Sequence, residues 1–567
     1  MNKKYSRRDF LRTTGTAALA AGTGLEHFIN RGCTPEGPYD LLIQGGTVYD
    51  GLGNPGIVAD VAIRGERIVG IGKRLNASKA KRIMEAKGLA VSPGFIDMHT
   101  HTAAHLIANP LAESHIRQGI TTEISGNCGS SPFPIVDSRI PEIKENLEKQ
   151  YQVELSWRDM EGFFQRLEEQ GIALNYASFV GHGVIRGKVV GYEDQKATPD
   201  QLMEMQRIIE DHMRAGAWGL STGLEYTPSS FADTAELIQL CHKVAELGGI
   251  HSTHMRNEDN YVLEAIDESI QIARETGVST QISHLKMALP ANWHKIDEGI
   301  AMIEEAEREG IPILADRYPY IAASTGLSSF FPEWARAGST EDFIQRLKDP
   351  ALDEQFRAHV NNAEQEIGGW ENVRISAVVT ERNKAYEGMD IIAGAELSGK
   401  QPYEYMRDII IDEKNQVGMV KFAMKEENLK RILAHPLVTV GSDGNAVATY
   451  GVLGSGKPHP RYYGTFPRFL GKYVREEQIL TWPEAIQKIT SVTAQKMGFK
   501  DRGQISRDYF ADLVLFDPNT IIDRATFDDP HQYPEGIQTV IVNGAVVVHE
   551  GESTGELSGK ILKKGQA

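Results

Sequence analysis

The sequence predicts an α/β chain: a (β/α)8 TIM-type barrel, a small β-sandwich built from both chain ends, and a helical insertion before the eighth strand. Three observations lead there. Eight short runs, most of them ending on a polar residue, alternate with amphipathic helical patterns; the two chain ends share a hairpin texture that the middle lacks; and metal-ligand residue types gather where the runs end.

The eight runs are Val91–His99, Gly119–Cys128, Ala173–His182, Ala217–Thr222, Gly249–His254, Val278–His284, Ile311–Arg317 and Leu437–Asp443. Helical patterns such as 201–215, 261–276 and 295–308 separate them. Spacing is regular until the eighth, where residues 330–431 hold several helical patterns and read as an inserted lid or side domain. At the ends, residues 40–49, 61–64 and 67–71 match the style of 511–516 and 539–548, and Asn543-Gly544 is a type I′ hairpin signal. The predicted layout is therefore a tail over 1–38, a composite β-sandwich from 39–92 plus 503–567, and a metal-binding barrel over 93–502 that includes the 330–431 insertion.

Composition narrows the partners. A net charge of −17 over 567 residues disfavours nucleic acid and anionic membrane surfaces, which require a basic face, but is compatible with a small anionic substrate met by a few buried Arg or Lys. No stretch after the N-terminus is long and apolar enough to predict a transmembrane span. Oligomeric state is not legible. The start of the chain reads as an address: Lys3 and Lys4, then Ser6-Arg7-Arg8-Asp9-Phe10-Leu11 and an Ala/Gly/Thr stretch, the form of a twin-arginine export signal. This predicts a periplasmic protein, and the residues before Cys33 fit a lipid-attachment site poorly. Of the three cysteines, Cys241 belongs to an apolar helix face and Cys128 to a strand end.

In a barrel of this type the chemistry sits at the carboxyl ends of the strands. His99 and His101 lie two apart, so both imidazoles can reach one ion. Cys128, between glycines, supplies a thiolate; with His254 and His284 it makes three zinc ligands and leaves a fourth position for water. Asp443, in Gly-Ser-Asp-Gly, is placed to take a proton from metal-activated water and return it to a leaving amine. His182 ends the third run and is a candidate substrate contact; His212 and His242 lie in helices and read as solvated. Gly-Leu-Ser-Thr-Gly at 219–223 and Gly-Leu-Gly-Asn-Pro-Gly at 51–56 match the nucleophile-elbow and dinucleotide patterns by letter only: the first lies at the fourth run and the second between two short β runs, and neither opens a helix.

Several stretches then resemble one family. Ser92–Asp97 before His-Thr-His, Gly126-Asn127-Cys128-Gly129, Gly-Leu-Glu-Tyr-Thr-Pro at 223–228, His-Met-Arg-Asn-Glu at 254–258, Ile-Ser-His-Leu-Lys at 282–286, Asp-Arg-Tyr-Pro-Tyr at 316–320 and 459–466 together are similar to the N-acyl-D-amino-acid deacylase (D-aminoacylase) branch of the metal-dependent amidohydrolases. The resemblance implies hydrolysis of N-acyl-D-amino acids to a carboxylate and a free D-amino acid. It implies tight zinc at Cys128, His254 and His284, and a weaker second position near His99, His101 and Asp443. It also implies that Lys286, Arg461 and Tyr226 hold the substrate α-carboxylate. Thr102-Ala103-Ala104 departs from the pattern, following His101 where relatives often have an aspartate, and the twin-arginine tail and Met287-Ala288-Leu289-Pro290 are unusual. The fourth run ends Gly219-Leu220-Ser221-Thr222 without the metal-bridging lysine of many amidohydrolases, a bridge that Cys128 is expected to replace. The rival readings are a cyclic-amide hydrolase of the dihydropyrimidinase or dihydroorotase kind, a D-residue dipeptidase, and a non-catalytic binding protein on an inherited barrel.

Overall fold

The computed structural model describes residues 37–566. The export signal read at the N-terminus and Cys33 lie outside the described residues. Five strands open the chain: β1 (Tyr39–Val48), β2 (Ile57–Arg64), β3 (Arg67–Gly72), β4 (Ala80–Glu85) and β5 (Ala90–Pro93). A strand–helix alternation follows through β6 (Phe95–Asp97), β7 (Ile120–Ser125), β8 (Asn175–Ser178), its short continuation β9 (Val180–Gly181), β10 (Gly219–Gly223), β11 (Ile250–His254), β12 (Ser279–Ile282) and β13 (Ile313–Arg317). Next come β14 (Ala322–Gly326), β15 (Val373–Ala377), β16 (Gly418–Phe422) and β17 (Val438–Val440), and the chain closes with β18 (Leu513–Phe516), β19 (Ile537–Val542), β20 (Ala545–His549) and β21 (Glu552–Ser553).

Each of the eight runs contains a strand, shorter than the run itself. The first run divides: β5 joins the terminal sheet, Gly94 turns the chain, and β6 begins the parallel set. β6, β7 and β8 pair in parallel, as do β9, β10, β11, β12, β13 and β17 in that order. Thr100 bridges Gly444 in parallel, and the Asp443 N–H donates to the His99 carbonyl at 2.8 Å, which brings the end of the last strand beside the first. Glycine makes one of these pairings possible: a Cβ at Gly219 would meet the Ile250 carbonyl oxygen at 1.9 Å.

The helices between strands form for legible reasons. Thr198 and Gln201 make a capping box at the start of Pro199–Ala215, Gly216 ends it, and Met205, Ile208, Ile209, His212 and Met213 share its buried face. His212 is thus not solvated. Four residues after Ile208, it falls on the core face, donates Nδ1–H to the Ile208 carbonyl at 2.8 Å and stacks on Phe133. Cys241 is buried in the helix Thr234–Glu246, and burial pushes its thiol pKa up.

Two expectations need correction. The strands from the chain ends form one nine-stranded sheet, ordered β21-β20-β19-β18-β5-β1-β2-β3 with β4 also on β1, instead of two separately paired sheets. The cause is in β1. An irregularity between Ile43 and Gly46 bends it, so its first half pairs with β4 and its second half with β5. The Asn543-Gly544 turn joins β19 to β20 with both residues at positive φ, as its sequence requires. The 330–431 insertion is not purely helical: β15 and β16 pair antiparallel, and β14 adds to β16. Val373, Ile375 and Met419 supply β-branched and apolar side chains to a separate core around Phe343, Phe356, Trp370 and Met406.

Candidate metal centre and active site

The strand ends converge on one group of ligands. His99, His101, Cys128 and Asp443 place one ligand atom each within 4.8 Å of one another, and Cys128, His254 and His284 do the same. Cys128 is common to both groups. Its Sγ lies 3.3 Å from His99 Nε2 and 3.5 Å from His284 Nε2. Burial would raise the thiol's pKa, but the neighbouring imidazoles, His99 first, hold it well below the ordinary value, so the sulfur is a thiolate. Cys128, His284 and Asp443 all have positive φ, at 52°, 34° and 50°, a region few non-glycine residues occupy.

A layer of carboxylates orients these ligands. Glu225 Oε2 sits 3.0 Å from His254 Nε2, which leaves His254 Nδ1 buried and without a hydrogen-bond partner. His254 thus keeps a buried nitrogen without a partner, and with the Cys128 sulfur and the His284 imidazole close by it makes the donor set expected of a zinc site, so the residues fit the ion. Glu258 Oε1 sits 2.8 Å from His284 Nδ1, and Asp316 Oδ1 sits 3.4 Å from His99 Nδ1 while accepting the His284 backbone N–H at 2.7 Å. Buried Asp97 accepts the N–H groups of His99 (3.1 Å) and Ser442 (2.9 Å); burial raises its pKa to about 6. Glu225, Glu258, Asp316 and Asp97 stand inside the sequence motifs, but their roles become visible only in the structure. A carboxylate four residues after a ligand histidine, as Glu258 is after His254, was the available signal.

Asp443 Oδ1 lies 3.1 Å from His101 Nε2, and its Oδ2 lies 2.9 Å from Arg461 Nη1. Burial works against its charge, yet Arg461 and the histidines outweigh it, and its pKa stays well below the usual carboxylate range. A cavity of about 460 Å³ opens over these groups and is bordered by Tyr226, Glu258, Lys286, Lys421 and Arg461 among others.

The predicted substrate contacts fare differently. Arg461 is buried, borders the cavity, and is ion-paired to Asp443 through Nη1 at 2.9 Å. Lys286 borders the cavity too, but its Nζ already contacts Glu258 and lies 2.8 Å from His284 Nδ1, which spends most of its charge within the protein. Tyr226 lies with its ring 4.8 Å from that of His254 and its hydroxyl 3.2 Å from Thr325 Oγ1. His182 is a correction. It starts the helix His182–Val189, is fully buried, contacts Ser229 and Glu236 at 2.9 and 3.2 Å, and does not border the cavity. The third strand is interrupted at Phe179 and ends at Gly181, so the side chain that follows turns into the helix layer.

Comparison with known proteins agrees with this geometry. The amidohydrolase family model matches residues 82–548. The D-aminoacylase of Alcaligenes xylosoxydans xylosoxydans is 34% identical over 93% of this chain and 98% of its own length. The N-acyl-D-glutamate deacylase of the same organism is 36% identical over 93% and 96%. Among solved structures, an N-acyl-D-glutamate deacylase from Bordetella bronchiseptica, complexed with zinc and a phosphonate mimic of the tetrahedral intermediate, superposes with a TM-score of 0.78 at 32% identity, covering 93% of this chain and all of that one. A dihydropyrimidinase from Brevibacillus agri, at 16% identity and a TM-score of 0.53, shares the fold alone. With the family model spanning most of its length and the ligand residues assembled as described, the chain belongs to the amidohydrolase family, in its D-aminoacylase branch.

Proposed function

We propose that this protein hydrolyses the amide bond of N-acyl-D-amino acids, giving a carboxylate and a free D-amino acid, on a (β/α)8 barrel flanked by a β unit from both termini. The observation that carries the reading is the meeting, in one cavity, of two ligand groups sharing Cys128 with the Asp443–Arg461 pair. Two relatives covering nearly all of the chain are a D-aminoacylase and an N-acyl-D-glutamate deacylase, which supports the same chemistry here. We place the tight zinc at Cys128, His254 and His284 and a weaker second position at His99, His101 and Asp443. When bound, zinc supplies Lewis-acid polarisation of the amide carbonyl and acidifies water.

The chain's own residues do the rest. Arg461 keeps Asp443 ionised, so its carboxylate is ready to accept a proton from the attacking water. As the C–O bond forms and the C–N bond breaks, that proton passes from Asp443 to the departing amine nitrogen. Arg461, at the cavity wall beside Asp443, is the cation placed to receive the substrate α-carboxylate with its planar fork. Glu225 and Glu258 fix the ring orientations of His254 and His284. The testing experiment is a panel on zinc-loaded protein: N-acetyl-D- and L-amino acids, D-residue dipeptides and hydantoins side by side. Turnover confined to hydantoins or to L-forms overturns the reading. We also propose periplasmic export, on the strength of the paired Arg7 and Arg8 in the N-terminal sequence.

A further inference from the structure

Beside the active-site cavity lies a second space, a side branch of about 350 Å³, and His101, Ser130, Arg139, Val184 and Tyr192 border both. Its deeper walls include buried Ile135, Val136, Leu147 and Trp157. Its near wall is the helix Ala103–Ala108, where Ala103 and Ala104 stand and offer only methyl groups.

The branch is apolar and carries no charge ready for an anion. Arg139 is the only lysine or arginine on its lining, and it donates Nε and Nη2 to the two oxygens of Glu142 at 2.9 and 2.6 Å. His105, packed edge-on against Tyr151, is kept neutral by burial, with a pKa near 3. The Trp157 indole N–H is already given to the Pro132 carbonyl at 2.8 Å, so the ring faces any occupant as an apolar surface.

Position within the site decides which half of a substrate the branch takes. The departing nitrogen must lie by Asp443, and the α-carboxylate it carries must reach Arg461. Neither of those residues borders the branch. Across the scissile carbonyl, the acyl substituent points the other way, past His101. The branch volume is within the range of whole small-molecule pockets, about 300–1,000 Å³, and is far larger than an acetyl methyl group requires.

We propose that this branch is the acyl subsite, and that it makes the enzyme prefer N-acyl groups with a medium-length apolar chain or a benzyl group over N-acetyl. The inference rests on the deacylase reading above. Each methylene buried there should raise kcat/KM by about fourfold at most; because the branch is partly open, a net gain of at least tenfold from acetyl to hexanoyl is expected.

The experiment measures kcat/KM for acetyl, butyryl, hexanoyl and phenylacetyl derivatives of one D-amino acid, in wild type and in Ala104→Phe and Ile143→Trp, two residues that line the branch from the helices Ala103–Ala108 and Ile140–Tyr151. The quantity read is the hexanoyl-to-acetyl ratio within each protein, so a general loss of active enzyme cancels. A ratio of ten or more in wild type that falls severalfold in both variants supports the subsite. Steady turnover of the acetyl compound with a flat or inverted chain-length series overturns the inference and leaves deacylation standing. Failure to hydrolyse any member of the series overturns the deacylase reading and the subsite with it.

Discussion

Replacing Arg461 with alanine separates carboxylate recognition from the rest of the chemistry. The guanidinium is buried, borders the active-site cavity and lies 2.9 Å from Asp443. In Arg461→Ala a substrate α-carboxylate would enter the cavity without its partner, a loss of about 2–5 kcal/mol for a desolvated charge, or about 30- to 5,000-fold in kcat/KM. A second effect is superimposed. Without Arg461, Asp443 holds its proton more tightly and passes it on less readily, and this slows every substrate alike. Comparing each N-acyl-D-amino acid with its α-amide removes the shared part, because the amide has no carboxylate to lose. The acid should therefore fall by at least tenfold more than the amide. Equal losses on the two would show that Arg461 serves Asp443 alone and that the carboxylate is read elsewhere, with Lys286 the next candidate.

Three further outcomes are expected. Purified protein should carry at least one tightly held zinc per chain by elemental analysis, and Cys128→Ser should lose most of it; unchanged zinc content would remove the thiolate from the centre. Asp443→Asn should keep its circular dichroism and its tight zinc while losing activity by about 100-fold or more, the scale of a missing acid–base group; near wild-type turnover would end the proton-transfer role. Arg7→Lys combined with Arg8→Lys should hold the protein in the cytoplasm, and equal periplasmic recovery of this double variant would refute twin-arginine export.

The ligands were legible because each has a chemical identity and a place in a repeating pattern. His99, His101, Cys128, His254, His284 and Asp443 close five of the eight strand runs, and the structure gathers all six. His182 obeyed the same positional rule yet points elsewhere, because strand length decides where a run-ending side chain goes. A break at Phe179 and a helix starting at His182 cannot be read from a hydrophobic pattern. The insertion was misread as helical for a related reason. β15 and β16 are five residues each, too short for alternation to stand out beside the long helices around them. Glu225, Glu258 and Asp316 were hidden differently: each acts through a ligand contributed by a distant or offset segment, and only the fold reveals the pairing.

Those carboxylates also explain how a centre can sit on backbone that is strained at three of its ligands. Cys128, His284 and Asp443 hold left-handed conformations that cost about 1–3 kcal/mol each when unsupported. The surroundings leave them little alternative. Gly126 and Gly129 flank Cys128 at φ 75° and 72°, and a side chain at Gly129 would meet the Gly223 backbone nitrogen at 2.7 Å. Asp316 accepts the His284 N–H and Asp97 accepts the Ser442 N–H, so the two loops bearing His284 and Asp443 are each tied to a buried aspartate on another parallel strand. The Asp443 N–H is in turn held by the His99 carbonyl. Ligands fixed this way need little rearrangement to receive the ion, which places the stability of the centre in aspartates that never touch it.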